Sequence, residues 1–152
     1  VTAIIQGDQL RTLLFGTVVS KAYPTLAVET KTLFNVTGGK VAITSIVGEV
    51  TTAITVANTV KLQANPTTGT TGDLCAATDI GTTDTPAGDL LSFQGLKGDS
   101  LLFGVGCVPT LKQPIVVNVG TIEQVTATGA DGGITWTVTY VPLDNGATVT
   151  AA

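Results

Sequence analysis

Between Gly133 and Gly146 the chain reads "GITWTVTYVPLDNG": apolar and polar residues alternate without a break from Ile134 to Tyr140, and glycine-bearing turns lie on either side. Strict alternation places Ile134, Trp136, Val138 and Tyr140 on one face of a strand and Thr135, Thr137 and Thr139 on the other. The aromatic face is expected to be core. The threonine row tolerates water, and packs equally well against another sheet or subunit because no charge has to be desolvated.

The same grammar governs the chain from Thr32 onward, in about nine short runs rich in Val, Ile, Thr, Leu and Phe that are bounded by turn residues. They are "TLFNV", "KVAITSIVG" with "EVTTAITVA" as one long strand bent at Gly48, "VKLQAN", "DLCAATDI", "LLSFQG", "SLLFGVG", "IVVNVG", "TIEQVTATG" and "ITWTVTYVPL". "TGGK" at 37–40, "NVGT" at 118–121 and "GADGG" at 129–133 supply glycines for tight connections, so consecutive strands are expected to be mostly antiparallel neighbours. "NPTTGTTG", "GTTDTPAG" and the proline-bounded "PTLKQP" read as longer crossings. The pattern predicts an all-β chain: an antiparallel β-sandwich of jelly-roll type over residues 31–152.

Residues 1–30 differ. Asp8 is placed as a helix N-cap, Leu10, Leu13 and Leu14 follow at helical spacing, and Gly16 then precedes a β-branched pair. A short helix and an extended arm both fit, and Pro24 ends either.

Composition sharpens this picture. The 152 residues are 43% hydrophobic and only 12% charged, with a mean hydropathy of +0.45, and threonine makes up roughly a fifth of the chain against an ordinary charged share of about a quarter. A membrane-spanning helix needs about 18 consecutive apolar residues, and the runs here are interrupted every few positions. Aromatics at 5% are too few for the girdles of an outer-membrane barrel. What remains is a domain poor in the charges that keep a lone sandwich soluble and its edges blunt, which points to burial in an assembly.

The net charge of −4 with only seven Lys and Arg and a pI near 4.4 speaks against nucleic acid. The opening "VTAIIQGDQLRTLL" has neither the basic start nor the cleavage pattern of a secretory leader, so synthesis in the cytoplasm is expected.

Catalytic chemistry is scarce. The chain has no histidine, which removes Ser-His-Asp, Cys-His and imidazole-metal sites. Asp73, Asp79, Asp84, Asp89 and Asp99 cluster in sequence but lack the spacing of a calcium loop or a glycosidase pair, and their Gly and Thr neighbours suggest turn chemistry. "GVGCVP" at 104–109 lacks the Lys-Ser/Thr and the helix of a phosphate loop. Cys75 and Cys107 either pair or stay as buried free thiols. Asn35 begins an Asn-Val-Thr glycosylation sequon within a strand and is read as a chance match. Trp136 and Tyr140 would form a sugar platform only if their face were open. The residues thus indicate no enzyme, cofactor or metal.

The segments "IIQGDQLRTLLFGTVVSKAYPTL", "LFNVTGGKVAITSIVGEVTT", the "ANPTTGT" to "DLCAATDI" region and "GTIEQVTATGADGGITWTVTYVPLDNGATVTAA" together resemble small virion-associated proteins encoded in tailed-bacteriophage genomes. That resemblance implies a structural protein of the particle, of the capsid decoration or cement kind: a β-sandwich, often trimeric, seated on the major capsid protein at the virion surface. A tail or fibre component with a carbohydrate-binding sandwich is the alternative. The expected interface comprises Ile4, Ile5, Leu10, Leu13, Leu14, Phe15 and Val18, with Thr135, Thr137 and Thr139. The apolar residues of this arm would either anchor the subunit to a neighbour or cover the bottom of their own sandwich.

Overall fold

The computed structural model describes residues 4, 6–104, 111–129 and 131–152, with Asp8 and Arg11 described by backbone alone. One helix, α1 (Gly7–Phe15), is followed by β1 (Thr17–Tyr23), β2 (Thr30–Thr37), β3 (Val41–Thr52), β4 (Thr59–Pro66), β5 (Gly72–Asp73) and β6 (Thr78–Asp79). After these come β7 (Leu90–Ser92), β8 (Leu102–Gly104), β9 (Ile115–Val117), β10 (Gly120–Thr126), β11 (Gly133–Pro142) and β12 (Thr148–Ala151).

The strands form two antiparallel sheets packed face to face. The first runs β1-β11-β3-β7-β8, with β9 also on β3; the second runs β12-β2-β10-β4-β5, with β6 also on β4. The predicted β-sandwich is therefore the fold. Alternation does the work: β11 buries Ile134, Trp136, Val138 and Tyr140 and leaves Thr135, Thr137 and Thr139 half-exposed on its outer side. From the other sheet Leu33, Phe34, Leu62 and Ile122 meet them in the core.

Trp136 holds the two layers in register. Its Nε1–H donates to Gln124 Oε1 at 2.7 Å, and Gln124 Nε2 donates to Thr126 Oγ1 at 3.0 Å. Both partners are buried, so a polar bridge crosses an otherwise apolar core with every group satisfied. Gly48 on β3 makes room for the indole: a β-carbon there would lie 2.9 Å from Trp136 Cζ3.

Several expectations need correction. The glycine turns do reach positive φ, at Gly38, Gly39, Gly120, Gly129 and Gly132, yet they are not hairpins. β2 and β3, β9 and β10, and β10 and β11 lie in opposite sheets, so these links are arches across the sandwich. A Gly-rich tetrapeptide can reverse a strand within its sheet or carry it over the roughly 10 Å between sheets, and its local composition is the same in both cases. β3 passes straight through Gly48 and carries its irregularity opposite Thr139/Tyr140 and Gly133/Ile134 instead. Its predicted continuation past Thr52 is reduced to one bridge, Ile54 to Thr85. "DLCAATDI" is two dipeptide strands around a turn.

At the start of the chain, helix and strand both occur, divided at Gly16 with φ 95°. The N-cap is Gln6 and not Asp8; Gln9 Oε1 accepts the Gln6 backbone N–H at 3.0 Å, a reciprocal end that starts the helix earlier than a lone Asp would. β1 pairs with β11 along its whole length, from Thr17↔Tyr140 to Tyr23↔Ile134. The sandwich thus begins at Thr17, inside the segment assigned to the arm. β12 was not anticipated, because "TVTA" is too short and too polar to stand out.

Replacing Gln124 with Leu keeps the volume and raises apolarity, so burial alone would leave stability unchanged. We expect a loss of about 1–3 kcal/mol in urea unfolding, because the Trp136 N–H is left buried without an acceptor.

Candidate assembly surface

The nine-residue helix α1 carries Leu10, Leu13 and Leu14 on one stripe, and none of the three is covered by the domain: they are 49%, 73% and 66% exposed, and Phe15 is 66% exposed. A surface helix ordinarily turns such a stripe to its own core. Gly16, just past the end of α1, is what abuts the sandwich: a β-carbon there would lie 2.4 Å from Tyr140 O and 3.2 Å from Val141 Cγ2. Helices shorter than about 12–15 residues are marginal in water on their own, so α1 depends on whatever covers its leucines.

The apolar surface continues past Gly16. Val18, at 60% exposure, pairs with Thr139 on the outer face of the first sheet, Ser20 with Thr137, and Ala22 with Thr135. On the far side of β11 the same rows extend to Ser45, Val47 and Glu49 of β3. Ser20 and Thr137 share a hydroxyl hydrogen bond of 2.8 Å. Glu49 is the one ionised side chain among these nine positions. Ile4 is exposed as well; Ile5 lies outside the described residues. The structure therefore brings Val18 and the three threonines onto one face and sets the α1 leucines at its margin.

The outer face of the second sheet is built differently. Glu123, only 6% exposed, accepts from Gln63 Nε2 at 2.8 Å, Asn65 Nδ2 at 3.1 Å and Thr121 Oγ1 at 2.7 Å. Thr71 Oγ1 donates to Asn65 Oδ1 at 3.0 Å, Thr37 and Thr148 bond at 3.0 Å, and Lys61 meets Asp73 at 2.7 Å. Burial pushes the Glu123 pKa up, but the donors from Thr121, Gln63 and Asn65 outweigh it and hold the carboxyl below its ordinary value. This network was missed in the sequence, where the one signal was a Glu-Gln pair inside a strand of apolar and threonine residues.

Of the clustered aspartates, Asp79 closes a turn and Asp73 pairs with Lys61 from within β5. Asp79 accepts from the Thr82 hydroxyl, from Gly81 N at 2.9 Å and from Thr82 N at 3.0 Å. The Thr82 hydroxyl, those two amides and the Asn58 amide together bring its pKa down to about 2. A recess of about 530 Å³ lies beside Asp79, Asp84, Asp89 and Phe103, but among the described residues no three His, Cys, Asp or Glu side chains come together in a metal-binding group. Trp136 and Tyr140 are 0% and 5% exposed, so no sugar can stack on them. Cys75 is a buried free thiol whose Sγ accepts Leu62 N–H at 3.3 Å; burial pushes it up to about 11, which makes it inert at neutral pH. Cys107 and most of the "GVGCVP" stretch lie outside the described residues.

No protein-family model, curated protein or solved structure matches the chain.

Two measurements follow from this geometry. Because Leu13 and Leu14 touch solvent and not the core, the double variant Leu13→Lys/Leu14→Lys should change the unfolding free energy of the isolated subunit by no more than about 0.5 kcal/mol; a larger loss would mean that the domain packs on them. The folded pKa of Glu123 lies below its ordinary 4.5, so its contribution to stability is complete above that value and is lost as pH falls through the lowered folded value. In Glu123→Gln, urea midpoints measured from neutral to acidic pH should fall less steeply over that acid range than in the parent.

Proposed function

We propose that this protein is a non-enzymatic structural component of a phage particle, a capsid decoration or cement protein that stabilises the shell. The observation that carries the reading is the uncovered leucine stripe of α1. A marginal nine-residue helix with its apolar side outward is unfavourable in a solitary domain and favourable once a second surface closes over it. The nearly uncharged outer face of the first sheet supports the same conclusion, since it can be buried without stripping water from ions. The phage context rests on the sequence resemblance set out above.

In this reading α1 and Val18 seat the subunit on the major capsid protein or on a neighbouring subunit, and three copies pack about a symmetry axis. The hydrogen-bonded Glu123 face then looks outward from the virion. A subunit that binds only the assembled lattice stabilises it by mass action, because disassembly must first release the bound copies. The subunit is made in the host cytoplasm and acts without cofactor, nucleic acid or membrane. The fibre alternative loses its sugar platform to the core with Trp136 and Tyr140.

The test is removal of residues 1–15, ending at Gly16 so that β1 stays in its sheet. The truncated chain should fold, give a monomer in light scattering where the full chain gives a trimer, and fail to bind purified shells in co-sedimentation. Unchanged shell binding would reject α1 as the anchor. Quantifying the protein in intact particles separates the locations: hundreds of copies fit the shell, and a handful fit the tail.

A further inference from the structure

We propose that Asn145 is a site of spontaneous covalent modification, deamidation through a succinimide, which ages the turn between β11 and β12. The chain has five asparagines, Asn35, Asn58, Asn65, Asn118 and Asn145. The first four are followed by Val36, Thr59, Pro66 and Val119; the β-branched side chains of Val and Thr obstruct attack by the following nitrogen, and proline's nitrogen carries no proton to lose. Asn145 alone is followed by glycine.

The reaction needs the Gly146 nitrogen to reach the Asn145 side-chain carbonyl carbon. The bond from Gly146 N to Asn145 Cγ forms, the Cγ–Nδ2 bond breaks, and the displaced amide nitrogen leaves as ammonia with the proton from Gly146. Water then opens the five-membered ring at either carbonyl, giving aspartate or isoaspartate. No electrons are exchanged, and water is the sole co-reactant.

The turn leaves this path clear. Asn145 and Gly146 are both exposed. Among the described residues neither the Asn145 side-chain amide nor the Gly146 N–H has a hydrogen-bond partner, the turn being closed instead by Ala147 N donating to Asp144 O at 3.1 Å. A β-carbon at Gly146 would meet nothing within 4 Å, so the glycine lies open on that side. By contrast Asn58 is fully buried, Asn35 lies within β2, and Asn65 within β4.

The products change the neighbourhood. Asp144 already accepts Lys40 N–H at 2.8 Å, and an aspartate at 145 sets a second carboxylate beside it. An isoaspartate lengthens the backbone by one carbon in a turn with no slack, since Gly146 O is seated against Gly38, where a β-carbon would approach it to 2.3 Å. The lengthened form displaces either the Gly38–Gly39 arch or the start of β12.

The full-length protein and a synthetic peptide spanning 141–150 are held side by side in mildly alkaline buffer. Conversion is followed by peptide-mapping mass spectrometry and by enzymatic methyl transfer to isoaspartate. We expect Asn145 to convert in the folded chain within about tenfold of the peptide's rate, a barrier difference of about 1.4 kcal/mol at most. The other four asparagines should stay intact over that time, and methyl transfer should be lost in Asn145→Gln, whose position is exposed and whose side chain makes no hydrogen bond among the described residues. A rate more than about tenfold below the peptide's, or conversion spread over the five asparagines, overturns the proposal.

Discussion

The indole of Trp136 fills the space between the two sheets and hands its single polar atom to Gln124 in the opposite layer. That one contact imposes a series of local demands. β3 must carry a glycine, Gly48, where a β-carbon would run into the ring at Cζ3 and Cε3. Gln124 must be buried in β10 with Thr126 to take its second polar group, and β10 admits it beside a register shift between Ile122 and Glu123. Ile122, Glu123 and Gln124 are buried in succession, yet β10 keeps its alternation against β4, with Glu123 opposite Gln63 on the outer face and Gln124 opposite Leu62 on the inner. Two polar residues are thus buried on opposite faces of one strand, Glu123 under Gln63, Asn65 and Thr121, and Gln124 against Trp136 and Thr126.

The two outer faces of the sandwich are therefore unlike. One is threaded with amide, hydroxyl and carboxylate contacts that are satisfied within the subunit; the other presents Val18, Ala22, Val47 and a row of threonines with one carboxylate among them. Charge is not merely rare in this chain but unevenly placed. Lys61 and Asp73 pair on the second sheet, Lys40 and Asp144 at the arch beside it, and Lys31 and Glu29 at the start of β2. The helix stripe lies at the margin of the face that these pairs avoid.

Period-two patterning made the sandwich legible in the sequence because a half-buried strand writes its two faces into alternate residues, as Ile134 to Tyr140 do. It also placed the threonine row outside and Trp136 inside. Pairing was illegible: which strands are neighbours depends on contacts such as Ser20 with Thr137, 117 residues apart, and nothing local encodes them. The arches at Gly38–Gly39 and Gly129–Gly133 misled for the same reason, as a glycine's positive φ reports that the chain turns and not where it goes. Of the candidate surface, the leucines of α1 were visible as a stripe, but their exposure was not, since an apolar helix has the same sequence whether it covers its own domain or another. Glu123 was hidden because alternation puts it on the outer face, where a charge is expected to be solvated, and the residues that close over it, Gln63 and Asn65, lie 60 and 58 positions away.

The pairing of β1 with β11 orders events in time as well as space. The first strand of the sheet waits for almost the last, so during synthesis Thr17–Tyr23 has no sheet to join until Gly133–Pro142 leaves the ribosome. The face that combines Val18 with Thr139 does not exist before β11 has been made. A nascent subunit consequently cannot dock through it until Gly133–Pro142 has emerged and joined the sheet.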